Sequence, residues 1–228
     1  MKKTWCIPPK QNAEFVARME DVLEVYSKPY DSNKPVVCMD EKPFQLLDEK
    51  LKPIPMNDMN HVEKSDHEYE RKGTCSIFMF TEPLAMWREA HALPQRTAKD
   101  WAHQMKWLID EVYPDVEKIV LVADNLNTHT VASFYKVFPP EEAFRLAQKL
   151  EIHYTPKHGS WLDIAEIELS AMTVQCLLNL RIPSIEILNQ KLSAWYLHRN
   201  SSQKSVLWHF TAEDARIKLK HLYPIVNF

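Results

Sequence analysis

The stretch from His153 to Thr173 concentrates residue types from which a chemical site can be built. It reads HYTPKHGSWLDIAEIELSAMT, which predicts a short extended run, a turn at Pro156 and Gly159, and a helical segment that begins at Ser160. Acidic side chains recur along the helical part. Carboxylates held on a helix beside a strand could contribute to a cation-binding site.

The acids of this segment are Asp163, Glu166 and Glu168. At about 100° per residue, Asp163 and Glu166 share one polar face with Ser170 and Thr173, whereas Glu168 points to nearly the opposite side. One site can therefore use one of the two glutamates but not both. Periodicity does not decide between them, and a simply solvated glutamate is the alternative.

Two aspartates elsewhere end short apolar runs that are typical of buried strands. VVCMD ends on Asp40, and IVLVAD ends on Asp124. Functional groups collect at the carboxyl ends of strands in an open α/β sheet, so two parallel neighbours would bring these carboxylates together, with a glutamate from the helical segment as a third. By pattern alone, however, an aspartate after a strand is more often a turn or cap residue.

A cluster of three carboxylates predicts metal-dependent chemistry. Like charges a few Å apart raise one another's pKa unless a cation lies between them, and Mg²⁺ or Mn²⁺ favours all-oxygen ligation. Two such ions about 3.5–4 Å apart activate water or a 3′-hydroxyl for attack at phosphorus and stabilise the leaving oxygen. No covalent protein nucleophile is then required.

The elements that must position these residues alternate between strands and helices. Periodicity predicts an amphipathic lead-in helix over 11–26, ended by Pro29, and an antiparallel pair of strands joined around Pro83. Prolines and polar residues predict a loop-rich excursion over 42–71. The predicted strands cover 36–40, 73–82, 85–93, 118–124 and 151–155, and the predicted helices 97–109, 128–138 (capped by Asn127 or Thr128), 140–150, 184–199 and 211–223.

Composition narrows the function classes. Of 228 residues, 45% are hydrophobic, which is enough for a substantial core, while two glycines exclude Gly-rich phosphate loops and dinucleotide fingerprints. The net charge of −3 argues against a surface that is basic throughout, although residues 181–228 hold seven Lys or Arg against three acids.

Four scattered cysteines suggest neither a zinc site nor a disulfide framework, and no apolar run predicts a membrane span. A cytoplasmic protein is expected.

Five segments closely resemble the catalytic half of insertion sequence 630 family transposases, a bacterial branch of the mariner-like DDE superfamily. They are VVCMDEKPFQLL, DHEYERKGTCSIF, IVLVADNLNTH, HYTPKHGSWLDIAEIELS and WHFTAEDARIKL, and they span nearly the whole chain. The resemblance implies an α/β, RNase H-like fold, a mixed five-stranded sheet with helices on both faces. It implies a lead-in helix over 1–34 and a catalytic domain over 35–228 that includes the C-terminal helices.

The same resemblance implies the site and its chemistry. The family's metal ligands are the Asp of MDE, the Asp of ADN and the Glu of the WL-x-x-x-E segment, which here are Asp40, Asp124 and Glu166. It thereby selects Glu166 over Glu168. The implied cofactor is Mg²⁺ or Mn²⁺, as two ions, and the implied activity is cleavage at transposon ends followed by strand transfer. The implied partners are transposon-end and target DNA and a second copy of the chain on DNA, which would associate the protein with the nucleoid.

Residues near the three carboxylates are candidates for accessory roles. Asn125, Asn127 and His129 closely follow Asp124 and could orient a metal-bound water or contact a phosphate. The alternative is that they form a turn and a helix cap.

Basic and polar residues are candidates for DNA contacts. Lys157, His158 and Ser160 precede a predicted helix start, where backbone N–H groups favour an anion such as a phosphate. Arg199 and Lys204 lie in the basic C-terminal part and could contact the DNA backbone, although most basic residues on any protein are solvated.

The chain departs from the family pattern at two places. Asp163 stands where the family usually has asparagine, and it could add an outer ligand, weaken the charge balance at the metal or do nothing. At Met86–Trp87, relatives tend to carry glycine before the arginine. These departures keep open the alternative of a truncated or inactive remnant that acts through DNA or protein contacts, and a nuclease that cleaves without joining is a third possibility.

We expect no counterpart in this sequence of the family's helix-turn-helix region, which reads the transposon ends. About 34 residues precede the first predicted strand, too few for such a region. We therefore expect a fragment or truncated copy, or end recognition by a separately encoded protein.

Overall fold

The computed structural model describes residues 7–8, 10–56, 61–62, 64, 66–202 and 205–225. Five strands within them form one sheet: β1 (Val36–Glu49), β2 (Tyr69–Glu82), β3 (Trp87–Leu93), β4 (Ile119–Ala123) and β5 (Leu150–Tyr154). They lie in the order β3-β2-β1-β4-β5. The pairs β1/β2 and β2/β3 are antiparallel, and the pairs β1/β4 and β4/β5 are parallel. The predicted mixed five-stranded sheet is confirmed.

Helices cover both faces of this sheet, as predicted. In the described part of the chain they are α1 (Ala13–Ser27), α2 (Ala98–Trp107), α3 (Pro140–Gln148), α4 (Ile164–Met172), α5 (Ile185–Ser201) and α6 (Ala212–Lys218). Side-chain caps fix several of their starts; Thr97 and Asp100, for example, form a reciprocal capping box at α2. None of the helices so described is long and apolar enough to cross a membrane.

Side chains of the sheet alternate between two hydrophobic cores. Cys38 and Val122 pack on the face covered by α1, α4, α5 and α6, whereas Val37 and Leu121 pack on the face covered by α2 and α3. The two-residue period of a strand produces this alternation. It also determines which face each residue beyond a strand end will occupy.

The first strand is longer than the sequence predicts. Its parallel pairing with β4 ends at Met39, but β1 continues to Glu49 in an antiparallel ladder with β2. Pro43 is tolerated within it because β4 no longer pairs with β1 at that level, so one edge of the strand needs no N–H donor. The predicted loop over 42–71 is therefore wrong at both ends, since β2 already begins at Tyr69.

The predicted helix over 128–138 is also different. Residues Val131–Lys136 form a 3-10 helix, and the residue before it, Thr130, makes no side-chain cap bond. Asn127 and Thr128 are thus not helix caps. The Ser133 hydroxyl donates to the Thr128 carbonyl oxygen at 2.7 Å, a local bond that competes with regular α-helical pairing.

The edge strand β3 is covered by α5 through two side-chain amides. Asn189 accepts a hydrogen bond from the Ala92 N–H and donates to the Ala92 carbonyl oxygen. Asn200 does the same with the N–H and carbonyl oxygen of Arg88. The two asparagines therefore satisfy backbone groups that a sixth strand would otherwise pair with.

The helix α1 belongs to the same core as the rest of the chain. Phe15, Met19 and Leu23 are buried in the core that contains α4 and α5. Arg216 of α6 donates two hydrogen bonds of 2.9 Å to the carboxylate of Glu20 on α1. The boundary between a lead-in helix and a catalytic domain at residue 34 stays a prediction.

The turn between β2 and β3 holds a strained residue. Met86 has a φ of +59°, a left-handed conformation that costs an L-residue about 1–2 kcal/mol and glycine very little. We expect Met86→Gly to raise the free energy of unfolding by about 0.5–1 kcal/mol, measured by urea denaturation. Ala85→Gly in the same turn, where φ is not positive, should lower it. Equal destabilisation by both changes would contradict the assignment of strain to Met86.

Candidate active site

Asp40 and Asp124 lie side by side at one edge of the sheet. The parallel pairing of β1 with β4 ends one residue before each of them. Cys38 and Val122, two residues earlier, face the core that contains α4, so the alternation of side chains directs both aspartates to the α4 side. The sheet register thus brings together two carboxylates that are far apart in the sequence.

The helix that carries the third carboxylate begins later than predicted. Residues Ser160–Leu162 form a short 3-10 turn, and α4 starts at Ile164 with Asp163 as its N-cap. The backbone of Asp163 is extended (φ −83°, ψ 114°), which separates the two helical pieces. Its Oδ1 accepts a hydrogen bond from the Ala165 N–H at 2.9 Å. A helix start at Ser160 is therefore wrong.

Glu166 lies in the first turn of α4 and is partly exposed. It lines an open cleft together with Asp163 and Ser170, which are the neighbours expected on its polar face. Its charge acts on the carboxyl groups of both Asp40 and Asp163. The glutamate and the two aspartates consequently belong to one electrostatic cluster.

Two carboxyl groups of this cluster hold protons unusually well. Burial, with the charges of Asp124 and Glu166, raises the pKa of Asp40 to about 7 against the lowering effect of a hydrogen bond from the Glu41 N–H. Burial and then the charge of Asp40 raise the pKa of Asp163 well above its ordinary value. Such shifts reflect negative charge held at close range with little solvent.

The donor chemistry of the cluster fits a hard divalent cation. Asp163 Oδ2 is buried and makes no hydrogen bond, so it has a lone pair available to a ligand. All the candidate donors are carboxylate oxygens, which Mg²⁺ and Mn²⁺ prefer. As the side chains stand, no three His, Cys, Asp or Glu residues among those described have the mutual geometry of a finished metal site.

Glu168 points away from this cluster and forms a buried ion pair. It is 0% exposed, and Arg199 of α5 donates to both its carboxylate oxygens, at 2.7 and 3.0 Å. Arg88, also 0% exposed, places its Nε 3.4 Å from Glu168 Oε2. Arg199 is thus engaged with a buried glutamate while its side chain stays partly exposed, and its DNA contact stays a prediction. Arg88 was missed because a charged residue within an apolar strand gives no signal of its partner.

His129 is completely buried between two carboxylates. Its Nε2 lies 3.0 Å from Glu41 Oε1, and its Nδ1 lies 2.6 Å from Asp124 Oδ1. The second contact has the distance of an ion pair but not the direction of a hydrogen bond; the aligned bond of Nδ1 is to the Asp124 carbonyl oxygen, at 3.4 Å. Burial lowers the pKa of His129, but the two carboxylates outweigh it and raise the pKa to about 9. A contact between His129 and a phosphate is excluded because the ring has no access to solvent.

Asn125 and the predicted DNA contacts before α4 line a second cleft beside Asp124. Lys157, His158 and Ser160 are exposed on its wall. The expected helix terminus is not there, because only a three-residue turn follows Ser160, so an anion site based on a helix dipole is wrong at this position. Lys204 lies outside the described residues.

The sequence of the chain matches one family of known proteins. Residues 35–189, from the start of β1 into α5, match the family described as DDE superfamily endonuclease. The chain belongs to the DDE superfamily of endonucleases. The matched range contains Asp40, Asp124 and Glu166. No curated protein matches this DDE endonuclease at a significant level.

Solved structures of the Mos1 mariner transposase are similar in fold. The Mos1 paired-end complex with the left transposon end has a TM-score of 0.60 at 15% identity, over 98% of this chain and 67% of that chain. The paired-end complex with Mn has a TM-score of 0.56 at 16% identity, over 90% of this chain and 61% of that chain. A pre-cleavage Mos1 transpososome has a TM-score of 0.58 at 14% identity, over 100% of this chain and 68% of that chain. The RNase H-like fold is thereby confirmed, and this chain spans about two thirds of the length of those proteins.

The two glutamates of α4 should respond oppositely to loss of charge. Glu168→Gln leaves the buried Arg88 and the partly exposed Arg199 without their carboxylate and should lower the free energy of unfolding by about 3–5 kcal/mol. Glu166→Gln removes charge from a repulsive cluster and should leave stability within about 0.5 kcal/mol of the wild type or raise it. Urea denaturation in metal-free buffer measures both. A larger loss from Glu166→Gln would contradict the assignment.

The raised pKa of Asp40 predicts a pH dependence of stability. Between its unfolded value and about 7, the folded state binds more protons than the unfolded state, so this group's contribution to stability falls as pH rises. In metal-free buffer, wild type should lose on the order of 2–4 kcal/mol relative to Asp40→Asn between pH 4.5 and 7.5. Asp163→Asn, which keeps an oxygen for the helix cap, should also flatten the curve. If the free energy of unfolding depended on pH in the same way for all three proteins, the raised pKa of Asp40 would be excluded as its cause.

Proposed function

We propose that this DDE endonuclease is the catalytic part of a DNA transposase of the insertion sequence 630 family. It would cut DNA at transposon ends and join the freed 3′-hydroxyl to target DNA. The observation that carries the proposal is the meeting of Asp40, Asp124 and the charge of Glu166 at one sheet edge, in a chain of the DDE endonuclease family. The fold similarity to Mos1 transposase complexes with transposon ends supports the same activity.

The three carboxylates would hold two divalent ions, Mg²⁺ or Mn²⁺. When bound, the ions would supply an activated oxygen nucleophile and stabilise the leaving oxygen at phosphorus. Mos1 paired-end complexes have been solved with each of these metals. The protein's part is to keep Asp40, Asp124 and Glu166 at one edge although they repel one another, which the sheet register and the anchored α4 do.

Two neighbouring residues would assist the carboxylates. Asn125 follows Asp124 on the wall of its cleft, where its amide could orient a water or a phosphate oxygen. Asp163 would cap α4 with one oxygen and turn its second, unbonded oxygen toward the cluster. The raised pKa of Asp163 keeps a proton on this carboxyl while no cation is bound, and a bound cation would favour the ionised form, which an asparagine does not have.

DNA would approach along the two clefts that flank the carboxylates. Lys157, His158 and Ser160 are exposed beside Asp124 and are the proposed contacts to the phosphate backbone, since cationic and hydroxyl groups favour phosphate oxygens. Lys204 in the basic C-terminal part is proposed as a further contact. Pairing of two transposon ends implies a homodimer assembled on DNA.

A nicking assay on supercoiled plasmid DNA with Mg²⁺ or Mn²⁺ tests the proposal. Asp40→Asn, Asp124→Asn and Glu166→Gln should each reduce nicking by roughly 100-fold or more, because each removes a ligand of the reacting centre. Glu141→Gln, an exposed carboxylate on α3, serves as the control and should leave nicking unchanged. Strand transfer would be measured with transposon-end DNA. A folded wild type that binds Mn²⁺ without nicking would favour an inactive remnant.

A further inference from the structure

The residue after Asp40 belongs to the opposite face of the sheet. Glu41 follows the alternation of Val37 and Met39, which lie in the core with α2 and α3. Its side chain is 2% exposed, and its Oε1 lies 3.0 Å from His129 Nε2. A buried carboxylate is costly unless it is paired, and His129 is the partner that the fold supplies.

The other ring nitrogen of His129 reaches the site. Its Nδ1 lies 2.6 Å from Asp124 Oδ1, so Glu41, His129 and Asp124 form a continuous chain from the buried face of the sheet to the cleft. The side chains of Glu41 and His129 are 2% and 1% exposed, whereas the side chain of Asp124 is 33% exposed. Only the last member can contact a ligand.

Packing leaves the imidazole little freedom. The Trp101 ring stacks on it, with centroids 5.9 Å apart and planes 22° from parallel. Its backbone is held at both ends, because the His129 N–H donates to the Leu126 carbonyl oxygen and the Tyr154 hydroxyl donates to the His129 carbonyl oxygen. A ring fixed in this way keeps its Nδ1 at ion-pair distance from the Asp124 carboxylate and within hydrogen-bond distance of the Asp124 carbonyl oxygen.

We propose that Glu41 and His129 are positioning residues that hold the Asp124 carboxylate in one orientation for metal binding. The inference rests on the proposed metal site and extends it to two residues that touch neither metal nor DNA. Partners behind a ligating group typically change metal affinity 10–100-fold when removed. Their effect is distinct from that of an ordinary buried ion pair, which would change stability alone.

Mn²⁺ titration by calorimetry of the whole chain, with urea denaturation in parallel, tests the inference. The double variant Glu41→Leu/His129→Phe replaces both buried partners by apolar groups and keeps a ring against Trp101, so that the fold is retained. We expect its Kd for Mn²⁺ to rise 10–100-fold. Glu82→Gln changes a buried carboxylate that pairs with Tyr113 and should alter stability without altering the Kd. A folded double variant that binds Mn²⁺ within twofold of wild type would overturn the proposal.

A second comparison decides the matter if the double variant does not fold. Glu41→Gln keeps an oxygen acceptor for His129 Nε2 and should bind Mn²⁺ within about threefold of wild type, whereas Glu41→Ala loses the anchor and should bind about tenfold more weakly. Equal affinities for the two variants would overturn the positioning role. Absence of Mn²⁺ binding by the wild type would instead overturn the metal site, and the positioning role with it.

Discussion

The structure depends on holding like charges together at the point where the parallel pairing of β1 with β4 ends. The β1–β4 ladder stops one residue before Asp40 and Asp124, and this register keeps the backbones of the two aspartates side by side. Burial and mutual repulsion then raise the pKa of Asp40 to about 7. The rest of the fold offsets this repulsion. Two hydrophobic cores pack against the strands, and the ion pair of Glu168 holds α4 beside the two aspartates.

That ion pair explains how one helix can serve two purposes. Glu166 and Glu168 are two residues apart on α4 and point to opposite sides, one to the cleft and one to the guanidinium groups of Arg88 and Arg199. Rotation of α4 to relieve repulsion at Glu166 would pull Glu168 from its partners. The face of α4 that carries Glu168 therefore holds the helix in place, and the opposite face presents Glu166 to the cleft.

Much of this organisation could be predicted from the sequence. Apolar runs and periodicity predicted all five strands and most of the helices, because the burial of apolar side chains determines those patterns, whereas the placement of helices on both faces of the sheet came from family resemblance. Periodicity also separated Glu166 from Glu168, but the choice between them came from family resemblance. The extension of β1 past Asp40 could not be read, because whether Pro43 is tolerated depends on which neighbour pairs with the strand. The roles of Glu41, His129 and Arg199 could not be predicted either, because each role depends on a contact with a residue that is distant in the sequence.

The amide cover on β3 limits how two copies of this chain can join. Asn189 and Asn200 engage the backbone of the edge strand at Ala92 and Arg88, so a strand from another molecule would have to displace α5 before it could pair there. A continuous sheet running through β3 from one subunit into the next is therefore disfavoured. Contact between two copies would therefore use surfaces other than the edge of β3, which α5 covers.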